Sequence, residues 1–146
     1  MTAVGEFLGR HVIAEFEGVD SHRLDDEDLL CTLLTDSVTR AGATVLDIAS
    51  KRFVPQGVTV VLLLSESHAS IHTYPEIGAA FVDVFTCGER ADPAYAVRHV
   101  IEALEPDAVR MSTIRRGQGG RTSALTGVEL CEQIVHGAEE PEPAGK

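Results

Sequence analysis

Apolar and polar residues alternate from about Arg10 to Phe16, with Val12, Ala14 and Phe16 on one side, and this period of two predicts a first strand. The period then lengthens. Leu29, Leu30, Leu33, Leu34, Val38 and Ala41 fall on one face of a helix expected from Asp26 to about Ala41. Asp25 is its expected N-cap, the acidic first turn suits the helix dipole, and Gly42 is a natural stop. Strands are expected at about 44–53, 58–65, 69–74 and 81–87, with Pro55-Gln56-Gly57 turning between the first two. Asp92-Pro93 supplies a cap and a proline in the first helical turn. Val97, Val100, Ile101 and Leu104 then form an apolar face that Pro106 terminates. A further strand is expected at 108–114, then a flexible break at Gly117-Gln118-Gly119-Gly120, a short helix within 128–135, and a solvated acidic tail from Glu139 to Lys146.

Mostly consecutive strands with two covering helices predict an α+β fold, a two-layer α/β sandwich with a mainly antiparallel sheet. Residues 1–120 are expected to form the domain and 121–146 a C-terminal extension. One such sheet leaves a face half covered or edges exposed, which predicts a dimer.

Composition narrows the functional classes. The 146 residues fit one domain, and 44% apolar content suffices for a core. A net charge of −11 argues against nucleic acid or an anionic membrane as partner. Cys31, Cys87 and Cys131 are odd in number and lack CxxC spacing, which predicts reduced thiols and a cytoplasmic setting. No signal peptide is visible. The longest unbroken apolar run, Val60 to Leu64, is too short to span a bilayer.

The densest chemistry lies in Ser65-Glu66-Ser67-His68-Ala69-Ser70-Ile71-His72-Thr73-Tyr74-Pro75-Glu76, where an apolar strand gives way to a polar one. Taken singly, its residues have ordinary readings. Ser67 would be a strand-end hydroxyl bonded to backbone, Glu76 a turn residue, Phe53 a core aromatic and Cys87 a small buried thiol. His68 and His72 share a strand face, but two ligands are too few for a usual zinc site, so no metal is expected. Alternation sets Ser67 and His72 on opposite faces.

In order along the chain stand Gly9-Arg10-His11, Gly42-Ala43-Thr44, Arg52-Phe53, Gly57-Val58-Thr59, Ser65-Glu66-Ser67-His68, Ile71-His72-Thr73, Pro75-Glu76 and Asp83-Val84-Phe85-Thr86-Cys87-Gly88. Over about residues 5–117 this set resembles the bacterial S-adenosylmethionine decarboxylase proenzymes, which are pyruvoyl-dependent and self-cleaving. The resemblance implies cleavage between Glu66 and Ser67, with Ser67 becoming the pyruvoyl cofactor. The serine hydroxyl attacks the preceding carbonyl, the amide becomes an ester, and β-elimination then frees the upstream chain. His72 would be the processing base and Thr59 the hydroxyl that holds the oxyanion. The new ketone would serve as electron sink for decarboxylation of S-adenosylmethionine to the aminopropyl donor of spermidine synthesis, with Cys87 as catalytic acid. Phe53 resembles the adenine platform, Glu76 the ribose carboxylate, and Tyr74 lines the same region. Family members are dimers of cleaved protomers with sites built from both chains.

The chain departs from the family pattern in several places. Thr59 and Val60 replace a serine and glycine, Lys51 a histidine and Tyr74 a tryptophan, and Ile77-Gly78-Ala79 lacks flanking tyrosines. These departures keep other readings open: a pyruvoyl-dependent arginine or ornithine decarboxylase, or an unprocessed paralogue that binds or regulates. A serine hydrolase built on Ser67, His72 and Asp83 is a more distant alternative, since Ser67 lacks the flanking glycines of a nucleophile elbow.

Overall fold

The structure is a computed structural model that describes residues 6–118 and 132–135. Its elements in chain order are β1 (Glu6–Glu17), α1 (Ser21–Leu24), α2 (Glu27–Arg40), β2 (Val45–Arg52), β3 (Val58–Leu64), β4 (Ser67–Tyr74), a 3-10 turn (Pro75–Ile77), β5 (Ala79–Cys87), α3 (Pro93–Leu104), β6 (Ala108–Gln118) and β7 (Glu132–Val135). The strands form one sheet in the order β2-β3-β4-β5-β1-β6-β7, with every neighbouring pair antiparallel.

Hairpins join β2 through β5, because Gly57, Gly78 and short polar turns let consecutive strands fold back on one another. The first strand breaks that run. It inserts between β5 and β6, so the N-terminal segment lies inside the sheet with a strand on each side. Both long helices lie on one face. Leu30, Leu34 and Val38 of α2, and Val97, Val100 and Leu104 of α3, are 1% exposed or less. They pack on Val12, Phe16, Leu62, Ile71 and Val84 from the sheet, giving a single core. Each fully buried side chain of this size contributes about 1.5–3 kcal/mol, so the helix-covered face carries the stability.

The observed fold is the expected two-layer antiparallel architecture, with local corrections. Asp26, not Asp25, caps α2, its carboxylate accepting from the Leu29 N–H. Asp25 closes the unpredicted short helix α1 and binds Arg52 and the Gly57 N–H through its side chain. Four residues are too few for a 3.6-residue period to show in the sequence. Leu29, assigned to the apolar face of α2, is 36% exposed. A left-handed Glu105 ends α3 one residue before Pro106. The strands β1 and β6 run longer than alternation predicts, because each is stabilised by pairing with the other. The helix expected within 128–135 is replaced over Glu132–Val135 by a strand on the edge of β6. The flexible break expected at Gly117-Gln118-Gly119-Gly120 does not begin at Gly117, because Gly117 and Gln118 belong to β6; Gly119-Gly120 and the acidic tail lie outside the described residues.

The other face of the sheet carries the side chains of interest. Register aligns them in rows across the strands. One row runs Thr59, His72, Phe81, Glu15 and Arg110. The next runs Val61, Ser70, Asp83, Ile13 and Ser112, and a third runs Leu63, His68, Phe85, His11 and Ile114. No described helix covers this face, and Ile13, Val61, Leu63 and Phe81 are each at least 42% exposed.

Candidate active site

The Glu66–Ser67 bond lies where the turn after β3 becomes β4. The cross-strand partner of Ser67 is Thr86, which brings the preceding carbonyl beside the end of β5. The oxygen of Glu66 accepts from the backbone N–H of Cys87 at 3.3 Å and from its thiol at 3.0 Å. Two donors from one residue thus converge on the carbonyl next to a serine. Cys87 is half-buried, and it shares the open face with Phe81, Asp83 and Phe85, as alternation predicts.

The carboxylate of Glu66 turns away from this bond and accepts from the Thr44 N–H at 3.1 Å. Burial raises its pKa, but hydrogen bonds from Thr44, Ser65 and its own N–H outweigh burial and hold it below the ordinary carboxylate range.

The hydroxyl of Ser67 meets His68, not His72. Ser67 Oγ lies 3.1 Å from His68 Nδ1, and His68 Nε2 lies 3.1 Å from Asp83 Oδ2. Asp83 also binds His11 Nε2 at 2.7 Å and accepts from the Ser70 hydroxyl. Burial pushes the Asp83 carboxyl up. Its bonds to Ser70 and His11 and the nearby charges of His11 and His68 outweigh that, and the net direction is down. Arg116 stacks 4.5 Å above the Phe85 ring and reaches His11 Nδ1 at 3.4 Å. The ligand atoms of His11, His68 and Asp83 lie within 4.8 Å of one another, so these three side chains could also hold a cation.

His72 belongs to a separate group at the other end of β4, five residues or about 16 Å along the strand from Ser67. Its Nδ1 is hydrogen-bonded to the Thr59 hydroxyl. Tyr74 packs edge-on against it at 4.8 Å between ring centroids, and Phe53 lies 6.0 Å away. Glu76 is exposed in the 3-10 turn that follows. A cleft of about 410 Å³ opens here, lined by His72, Ser70, Phe81, Asp83, Glu15 and Arg110 among others.

The residues singled out in the sequence therefore form two groups. Glu66, Ser67 and Cys87 meet at one end of β4 and β5. Thr59, His72, Phe53, Tyr74 and Glu76 gather at the other, and within one chain His72 and Thr59 reach neither Ser67 nor the Glu66 carbonyl. Asp83 binds His68 and His11 instead of His72, which removes the Ser67–His72–Asp83 hydrolase arrangement. His11 was not assigned to the site from sequence, and Asp83 entered only the distant hydrolase alternative. An aspartate within Phe81-Val82-Asp83-Val84-Phe85 is the signal that could have found them, because a half-buried carboxylate among apolar neighbours requires hydrogen-bonding partners.

Residues 10–117 match the family described as S-adenosylmethionine decarboxylase. The S-adenosylmethionine decarboxylase proenzyme of Caldicellulosiruptor saccharolyticus is 46% identical over 110 residues, 75% of this chain and 89% of that protein. The proenzyme of the same name from Methanococcus maripaludis is 44% identical over 110 residues, 75% and 90% of the two chains. Among solved structures, the adenosylmethionine decarboxylase of Aquifex aeolicus superposes with a TM-score of 0.69 at 36% identity, covering 81% of this chain and 96% of that one.

Proposed function

We propose, from the premise that this chain belongs to the S-adenosylmethionine decarboxylase family, that it is a proenzyme which cuts itself between Glu66 and Ser67 and then decarboxylates S-adenosylmethionine. The carboxy-lyase activity and the small-molecule substrate follow the name its relatives share, at 43–46% identity. That shared name also favours S-adenosylmethionine over arginine or ornithine.

The observation that carries self-cleavage is the pair of donors from Cys87 on the Glu66 carbonyl. An N→O shift passes through a tetrahedral oxyanion, and two positioned donors stabilise that oxyanion and lower the barrier to it. Ser67 Oγ attacks the Glu66 carbonyl carbon and an ester replaces the amide. Removal of the residue 67 Cα proton then expels residues 1–66 with a new carboxylate. Hydrolysis at position 67 with loss of ammonia leaves the pyruvoyl group. A serine behind a doubly donated carbonyl, at the start of a strand, fits this conversion.

Once formed, the pyruvoyl group supplies a carbonyl electron sink for the electron pair that CO2 leaves behind. Cys87 Sγ holds the proton to be returned to the substrate carbon. Phe53 offers an aromatic face for the adenine, Glu76 a carboxylate for the ribose hydroxyls, and Tyr74 a wall beside His72.

The distance from His72 to Ser67 supports a homodimer in which each site draws on both chains. The open face of the sheet is the natural contact, because it leaves Ile13, Val61, Leu63 and Phe81 in water. With two such faces opposed, the His72 end of one protomer meets the Ser67 end of its partner. His72, held by Thr59, then serves as base for the Cα proton in the partner subunit.

The intact mass of the purified protein under denaturing conditions tests this reading. Two fragments are expected, 1–66 and 67–146, the second lighter than its sequence by one ammonia. Release of CO2 from S-adenosylmethionine, and not from arginine or ornithine, checks the substrate. A single full-length mass after prolonged incubation overturns self-cleavage.

A further inference from the structure

From the contacts around Ser67 we infer that His68, oriented by Asp83 and His11, is the proton acceptor that activates the Ser67 hydroxyl for the first step of self-cleavage. The inference rests on the self-cleavage reading above and divides the work between two histidines. His68 acts on the hydroxyl within its own chain, and His72 acts later on the Cα proton.

The hydrogen-bond pattern sets the tautomer. The Asp83 carboxylate is an acceptor only, so the 3.1 Å contact at His68 Nε2 requires a proton on that nitrogen. In the neutral imidazole Nδ1 is then bare, and the Ser67 hydroxyl 3.1 Å away donates to it. That is the ground state a general base needs: nucleophile to imidazole, imidazole to a carboxylate that orients it and stabilises the cation formed. Asp83 is itself anchored. Ser70 donates to its other oxygen, and His11 Nε2 shares Oδ2 at 2.7 Å. The Arg116 guanidinium, a donor only, faces His11 Nδ1 at 3.4 Å, which places the His11 proton on Nε2, toward Asp83.

The step balances without a co-reactant. The Ser67 Oγ–H bond breaks and its proton passes to His68 Nδ1 as the Oγ–C bond forms at the Glu66 carbonyl. The carbonyl electron pair moves to oxygen, toward the thiol and N–H of Cys87. On collapse the C–N bond breaks, and His68 returns the proton to the departing nitrogen. The result is an ester and a free amine.

His68→Asn separates a proton acceptor from a structural bond. Its amide can keep a hydrogen bond where Nδ1 stood, but it cannot take up the proton. Cleavage would be followed from freshly translated full-length chains, by gel and by mass, for wild type, Ser67→Ala, His68→Asn, His68→Ala with and without imidazole, and Asp83→Asn. His68→Asn is expected to cut about 100-fold more slowly than wild type, and imidazole should partly restore His68→Ala. Hydroxylamine, which cleaves esters, should release no fragments from His68→Asn but should cut His72→Ala, where the ester accumulates. Cleavage of His68→Asn at the wild-type rate overturns the inference. So does loss of cleavage in EDTA with recovery on added Zn²⁺, which would assign His11, His68 and Asp83 to a metal. Partial rescue of His68→Ala by imidazole shows in the same assay that the variant folds. If wild type stays as intact as Ser67→Ala, the self-cleavage reading itself has failed.

Discussion

The thiol of Cys87 donates to the carbonyl oxygen of Glu66 at 3.0 Å, and the N–H of the same residue reaches that oxygen at 3.3 Å. Removing the side chain leaves the backbone donor in place. Cys87→Ala is therefore expected to cut itself more slowly, by about 100-fold if the thiol behaves as an ordinary oxyanion donor. Chains that do cut should lose most turnover, because no acid remains to return the proton. Gel time courses and CO2 release measure the two effects. Full turnover in Cys87→Ala would remove the thiol from the reaction.

Ser67 and His72 stand at opposite ends of β4, so the placement of His72 predicts complementation. His72→Ala and Ser67→Ala chains should each remain uncut when made alone. Made together in equal amounts, about half of the His72→Ala chains should pair with a Ser67→Ala partner and be cut, using the partner's His72. Mass spectrometry distinguishes the two chains. No cleavage in the mixture would mean that His72 acts within its own chain or not at all.

Asp83 makes the stability of the sheet depend on acid. Its carboxyl is depressed in the folded protein, so its contribution is fully present above the unfolded value, about 3.9, and is lost as pH falls through the lower folded value. Asp83→Asn should be less stable than wild type at pH 7. The gap should narrow as pH falls below about 4. Urea titrations followed by circular dichroism at several pH values measure both trends, and a gap that widens in acid would contradict them.

Thr73 ties α1 to the sheet. Its buried hydroxyl donates to the Leu24 carbonyl at 2.6 Å and accepts from the Val58 N–H at 2.9 Å. Thr73→Val keeps the shape but leaves a donor and an acceptor unpaired inside the core. The expected loss is about 2 kcal/mol, seen as a lower urea midpoint with unchanged slope. A neutral result would mean that water satisfies both groups.

Much of this protein was legible in the order of its residues. Alternation at Val12, Ala14 and Phe16 and the 3.6-residue period at Val97, Val100, Ile101 and Leu104 specify which side of each element is apolar, because a side chain's direction follows from local backbone geometry. The shared face of Cys87 and Asp83 follows from the same period, and ordered motifs such as Ser65-Glu66-Ser67-His68 mark the family. Local signals do not encode which distant strands meet. Placing β1 between β5 and β6 is what brings His11 to Asp83, 72 positions apart in sequence. The same limit hid β7, whose strand depends on the free edge of β6 more than on its own residues. The chain's order thus determined the candidate residues and the faces they occupy. Only the tertiary structure decided their company: His68 with Asp83, Glu66 with Cys87, and His72 about 16 Å from Ser67. Hydrogen bonds act over about 3 Å, and only strand order and register bring residues distant in sequence within that range.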